Sequence, residues 1–157
     1  VYVLLVLDYH GVLRTTKDSW GGNDEWKNNP YNQANGGPCA SPAEFFTQAE
    51  ARRHYQNRLR YAAARWASHP HLAGWEFWNE IDIPIRSESI SQESVVDWHR
   101  EMSAFLKSID PAQHPVTSSH MVPTEFHRLP CGAHGSPTRR LHSPELQPFR
   151  GPPVGTT

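Results

Sequence analysis

The chain has almost no excess charge of either sign. Fifteen Lys and Arg stand against 16 Asp and Glu, a net charge of −1 over 157 residues. Nucleic-acid binders carry a basic surplus that follows the phosphates, so no nucleic-acid partner is expected. Cysteine is scarce. Cys39 and Cys131 lie in unlike surroundings without metal-ligand spacing and read as two free thiols. Long apolar runs are missing. The longest, "VYVLLVL", is far below the roughly 20 residues of a membrane helix, so no membrane partner is expected. Ten His are present, but neither His-Glu-x-x-His nor Cys-x-x-Cys occurs, and His69 and His71 flank Pro70 in a turn. Neither a metal nor a cofactor is expected, and Gly36-Gly37 opens no phosphate-cradling strand-to-helix turn. An initiator Met and a basic leader are also lacking, and the chain opens on a strand pattern. It reads as an internal piece of a longer protein, with the compartment unspecified.

What is abundant is aromatic. Aromatic residues make up 11% of the chain, including six Trp, and suit large cores or stacking on flat ligands such as sugar rings. Val1 to Leu7 is a continuous Val- and Leu-rich run, the pattern of a parallel strand covered on both faces. Residues 14–40 read as a long loop broken by Gly21-Gly22, Asn28-Asn29-Pro30 and Gly36-Gly37-Pro38. Its Trp20, Trp26 and Tyr31 favour an ordered, functional loop. Capping boxes at Ser41–Glu44 and Thr47–Glu50 introduce a helix over 48–68, with Tyr55, Leu59, Ala62 and Trp66 on one face. His69-Pro70 ends it. Leu72 to Trp78 is the next buried strand, and Ile83 to Ile90 a loop containing Pro84. Ser91 caps a second helix whose apolar face is Val95, Trp98, Met102, Leu106 and Ile109. Asp110-Pro111 stops it, and Val116–Ser119 is a short strand.

Strand, helix, strand, helix, strand is the order of parallel βαβ units, an α/β fold whose functional residues gather at the strand ends. This unit occupies residues 1–122. The tail, 123–157, holds 7 of the 14 prolines and no Trp, Tyr or Asp. It reads either as a disordered linker or as sequence that has lost its native frame near Ser119 to Pro123.

One stretch joins the aromatic and polar themes. In "GWEFWNEID", Gly74 to Asp82, side chains alternate, placing Trp75 and Phe77 on one face and Glu76, Trp78 and Glu80 on the other. The aromatic half suits a buried strand. The polar half, Asn79 and Glu80, is expected at its open end, with a fray or bulge letting Asn79 reach the same mouth. A carboxylic acid there beside Trp suits proton donation. An ordinary strand-end Glu facing water fits the same spacing, so the residues alone leave both readings open. His10 ends the first strand either as a hydrogen-bonded structural His or as part of a ligand cleft. Asp8 reads as a buried structural carboxylate and Glu76 as an internal hydrogen-bonding partner. Trp20, Trp26 and Tyr31 either stack on sugars or pin the loop. Trp66 and Trp98 read as core.

"GWEFWNEID" resembles the fourth-strand motif of the clan A glycoside hydrolases, (β/α)8 TIM barrels that include the family 5 cellulases and mannanases. "VLLVLDYHG" is similar to their third strand, "RYAAARWASHPHLAGWEFWNE" to the helix leading into strand four, and "HPVTSSH" to the start of strand five. The resemblance covers about residues 1–120. It implies a partial TIM barrel, strands three to five with their intervening helices, from a secreted retaining β-glycosidase acting on mannan- or glucan-type carbohydrate. Glu80 would be the general acid/base, Asn79 would contact the sugar 2-hydroxyl, and His10 with Trp20 would line the cleft. Retention needs a second carboxylate about 5–5.5 Å away as nucleophile, which these enzymes place on strand seven. Glu125 and Glu145 lie in the aperiodic tail and are not assigned to that role. The expectation is therefore a fragment inactive on its own. A non-catalytic carbohydrate-binding remnant or pseudoenzyme is the alternative, and a metal hydrolase a distant third.

Overall fold

The computed structural model describes residues 1–121; the expectations for the tail lie outside them. Three parallel strands form one sheet in the order β1-β2-β3: Val3–Tyr9, Leu72–Asn79 and Val116–Thr117. Between β1 and β2 come α1 (Glu44–Thr47) and α2 (Ala49–Trp66). Between β2 and β3 come α3 (Asp82–Ser87) and α4 (Gln92–Ile109). The long helices α2 and α4 pack on each other. A sequential parallel sheet with adjacent crossover helices is a mixed α/β arrangement compatible with part of a (β/α)8 barrel.

The core is an aromatic block between sheet and helices. Phe77 meets Tyr55, Trp98 and His99, and Trp78 meets Phe45, Phe46 and Trp98, with ring centroids 5.5–6.2 Å apart. These rings are buried, as are Leu59, Met102 and Leu106. Ser91 caps α4 as expected, its Oγ accepting from Ser94 N–H at 3.4 Å.

Several expectations require correction. β1 is not covered on both faces. Leu5 and Leu7 pack on the core, whereas Leu4 and Val6, out of phase with them, are exposed, because among the described residues the core packs against only one face of β1. Trp78 does not share an open face with Glu80, since Phe45 and Phe46 of α1 close over that end of β2. Trp66, in the last turn of α2, is 39% exposed beside Tyr61 rather than core. Residues 82–87 are helix, not loop. Pro84 falls in the first turn, where a missing N–H costs no helical bond. Neither Ser41 nor Thr47 caps its helix. Ala43 and Gln48 take those positions without side-chain bonds, while Glu44 reaches back to Ala40 N–H at 2.7 Å.

The 14–40 segment is ordered by its own asparagines. Asn29 Nδ2 donates to Val12 C=O at 2.7 Å, Asn32 Nδ2 to Trp26 C=O at 2.9 Å, and Asn35 Nδ2 to Lys27 and Asn29 carbonyls at 2.9 Å. Trp26 is buried and Tyr31 stacks edge-on against Phe45, so these two pin the loop. At Gly37 a Cβ would lie 2.2 Å from the Tyr31 carbonyl carbon, so the crossing needs glycine. Cys39 is buried, and burial pushes its thiol up to about 11. No described helix is long and apolar enough to cross a membrane.

Candidate active site

β2 runs regularly to Asn79, which pairs with Tyr9 of β1. The expected fray at Asn79 does not occur. The break comes one residue later, where Glu80 adopts φ 57°, the left-handed region. For a side chain of this length that conformation costs about 1–2 kcal/mol. Such strain persists only where the surroundings fix it, and it concentrates at functional sites. Here the fixing is explicit. Glu80 N–H donates to Ser119 Oγ at 3.1 Å, Ile81 N–H to Ser119 C=O at 3.2 Å, and Ser119 N–H to Trp78 C=O at 2.9 Å. The following turn is anchored by buried Asp82, which accepts from Met121 N–H and pairs with Arg86, both at 2.9 Å.

β1 delivers the second group. After Tyr9 the chain enters a 3-10 turn, His10–Leu13, with the Tyr9 ring lying where a side chain on Gly11 would stand. His10 Nδ1 lies 3.1 Å from Glu80 Oε2. The approach is off the hydrogen-bonding direction, and His10 Nδ1 has no hydrogen-bond partner. The two side chains therefore face each other at ion-pair distance without being locked. His10 is 13% exposed and Glu80 32%, so the carboxylate remains reachable. Asn79 Nδ2 donates to Ser119 Oγ at 3.3 Å.

The structure thus brings His10, Asn79 and Glu80 together at adjacent strand ends. It does not bring Trp20 to them: no described hydrogen bond or ring contact joins it to the three. Trp20 is 91% exposed at a loop tip. Asp18 builds that tip, its Oδ1 accepting from Trp20 and Gly22 N–H at 2.9 and 3.2 Å, while Asn23 bonds its other oxygen. The loop base is tied beside the end of α3, where Thr15 donates twice to the Glu88 carboxylate at 3.1 and 2.8 Å.

Neighbouring polar residues divide by role. Asp8 is held by Arg58 Nη1, 2.8 Å from both carboxylate oxygens, and by the Tyr55 hydroxyl at 3.0 Å, tying β1 to α2 as a structural carboxylate. Burial pushes the Asp8 carboxyl above its ordinary range, against the opposing pull of Arg58. Glu76 is buried, but its Oε1 has no hydrogen-bond partner, so the expected internal bond is missing at that atom. Sequence reasoning missed Ser119; its only signal was a hydroxyl closing the expected strand 116–119, which in the structure ends at Thr117. A groove of about 540 Å³ between α2 and α4 is lined by Arg52, Gln56, Asp97 and Glu101 among others, and by none of the three site residues. No described group of three or more His, Cys, Asp or Glu could hold a metal.

No protein-family model matches the chain. Curated proteins do. A probable mannan endo-1,4-β-mannosidase F of Neosartorya fischeri is 29% identical over 128 residues, covering 78% of this chain and 24% of the relative. Mannan endo-1,4-β-mannosidase F of Aspergillus fumigatus is 30% identical over 128 residues, covering 78% and 25%. Mannan endo-1,4-β-mannosidase 1 of Oryza sativa subsp. japonica is 31% identical over 101 residues, covering 59% and 22%. The chain spans about a quarter of the length of these relatives. Over that span it is similar to mannan endo-1,4-β-mannosidases, which are glycoside hydrolases of family 5.

Proposed function

We propose that this chain carries the acid/base half of a retaining β-glycosidase site and that the parent protein cleaves β-linked mannan. The observation that carries the reading is the meeting of His10 and Glu80 at 3.1 Å across two strand ends, with Glu80 reachable on a left-handed backbone. Glu80 protonates the leaving glycosidic oxygen in the first step and removes a proton from water in the second. Asn79 holds the sugar 2-hydroxyl, and His10 lines the glycone side. The nucleophile is a second carboxylate about 5–5.5 Å from Glu80, supplied from outside residues 1–121. Mannan is preferred to glucan because the relatives are named for mannan.

Two measurements on the 157-residue chain test this. Mannohexaose titration is expected to show binding that weakens in His10→Ala and Asn79→Ala. Turnover of an aryl β-mannoside is expected to be absent, and turnover abolished by Glu80→Gln would show that the nucleophile is already in the chain. The exposed Trp20 favours a second reading, a carbohydrate-binding remnant. Binding lost in Trp20→Ala but indifferent to His10→Ala and Asn79→Ala would establish that reading instead.

A further inference from the structure

Ser119 stands two residues past β3 and makes four hydrogen bonds to the last residues of β2 and the two that follow it. Two are backbone bonds, to Trp78 C=O and from Ile81 N–H. The other two converge on one atom: Oγ accepts from Glu80 N–H at 3.1 Å and from Asn79 Nδ2 at 3.3 Å. A hydroxyl oxygen has two acceptor lone pairs, and both are used. The two residues assigned to sugar chemistry are thus referenced to a single atom of a different strand segment.

That segment is itself anchored. Ser118 Oγ lies 2.9 Å from His99 Nε2, and His99 Nδ1 lies 2.8 Å from Val95 C=O. A carbonyl only accepts, so Nδ1 carries the proton and Nε2 of the neutral ring accepts from Ser118. Burial holds the imidazole down to about 4, keeping it neutral. The path runs from α4 through Ser118 to Ser119, and from there to Asn79 and Glu80.

We propose that Ser119 is a positioning residue of this site: its hydroxyl holds Glu80 in the left-handed turn that aims the carboxylate at His10, and it orients the Asn79 amide. The inference rests on the glycosidase reading above. Alanine at 119 keeps both backbone bonds and removes only the acceptor. Threonine keeps the acceptor.

The test uses the 157-residue chain with two readouts, amide hydrogen exchange and mannohexaose titration. Ser119→Ala is expected to raise exchange at the Glu80 amide at least tenfold, with Phe77 and Trp98 amides unchanged. It is expected to weaken mannohexaose binding at least fivefold, and Ser119→Thr to restore both. Unchanged Glu80 exchange, or raised exchange with full affinity, overturns the inference and leaves the glycosidase reading standing. No mannohexaose binding by the unmodified chain removes the glycosidase reading, and the inference with it. Should Ser119→Ala unfold, Ser119→Cys takes its place under the same criteria, being close in size but a poor acceptor.

Discussion

Two carboxylates serve β2 from opposite ends, and the fold treats them in opposite ways. Asp110, after α4, is buried and accepts from Trp75 Nε1 at 2.9 Å, Ala112 and His114 N–H at 3.0 Å, and His114 Nδ1 at 2.9 Å. Burial alone would push its carboxyl up, but these bonds together hold it below the ordinary range. Glu80, past the other end, is about one-third exposed, sits on strained backbone and faces an imidazole off the bonding direction. A carboxylate with every lone pair engaged has no capacity left for a ligand. One left partly unsatisfied on a fixed backbone retains that capacity. This contrast places Asp110 in the scaffold and supports the proposed role of Glu80 in the site.

Mutations and pH can break or sharpen that contrast. The largest effect is expected from Asp110→Ala, which orphans several buried donors and should cost about 3–5 kcal/mol in urea unfolding. Mannohexaose affinity per folded molecule should be unchanged, and a specific affinity loss would blur the division.

Acid comes next. Burial holds the native His99 imidazole down to about 4, below the ordinary His value, so the unfolded chain binds the proton first as pH falls. Stability should drop by about 3 kcal/mol as pH falls from roughly 6.5 to 4, seen as a falling unfolding midpoint. Asp110, with its lowered native value, adds to the loss further into acid. A His99→Gln variant should show a flatter profile through the His99 window, and an identical profile would remove the buried neutral imidazole from the account.

The sign reverses at Glu80. Glu80→Gly relieves the positive φ and should raise stability by about 0.5–1 kcal/mol, after the greater chain entropy of glycine is deducted. A clear loss of stability would mean that the side chain is structural after all. Smallest of all, Val6→Lys on the exposed side of β1 should stay within about 0.5 kcal/mol by the same measurement.

β1 also marks a limit of sequence reading. Its apolar run is as strong as that of β2, yet Leu4 and Val6 are exposed while Trp75, Phe77 and Trp78 are buried. Hydrophobicity reports what a strand is suited to contact. The number of neighbours it has is a property of the sheet. β2 and α4 were legible because their apolar spacing, capping Ser91 and terminating Asp110-Pro111 all agree. Asn29 read as part of a loop breaker, and Asn32 and Asn35 only as residues of the 14–40 loop, but their side chains bond backbone carbonyls up to 17 residues away, which local composition does not reveal. Of the site, Asn79, Glu80 and His10 were visible as polar ends of apolar strands. Ser119 was not, because its role depends on which strand end lies beside it.

The most direct measurement is made in a chimera, with residues 1–121 replacing the matching segment of the Aspergillus fumigatus relative. The chimera is expected to cleave mannan. Glu80→Ala should lower that activity about 10²–10⁴-fold. With a dinitrophenyl β-glycoside, whose leaving group needs no proton, the first step should be spared and seen as a burst, turnover should stall at hydrolysis of the glycosyl-enzyme, and added azide should restore turnover with a β-glycosyl azide as product. Mannan cleavage that survives Glu80→Ala at full rate would contradict the assignment of Glu80 as the acid/base.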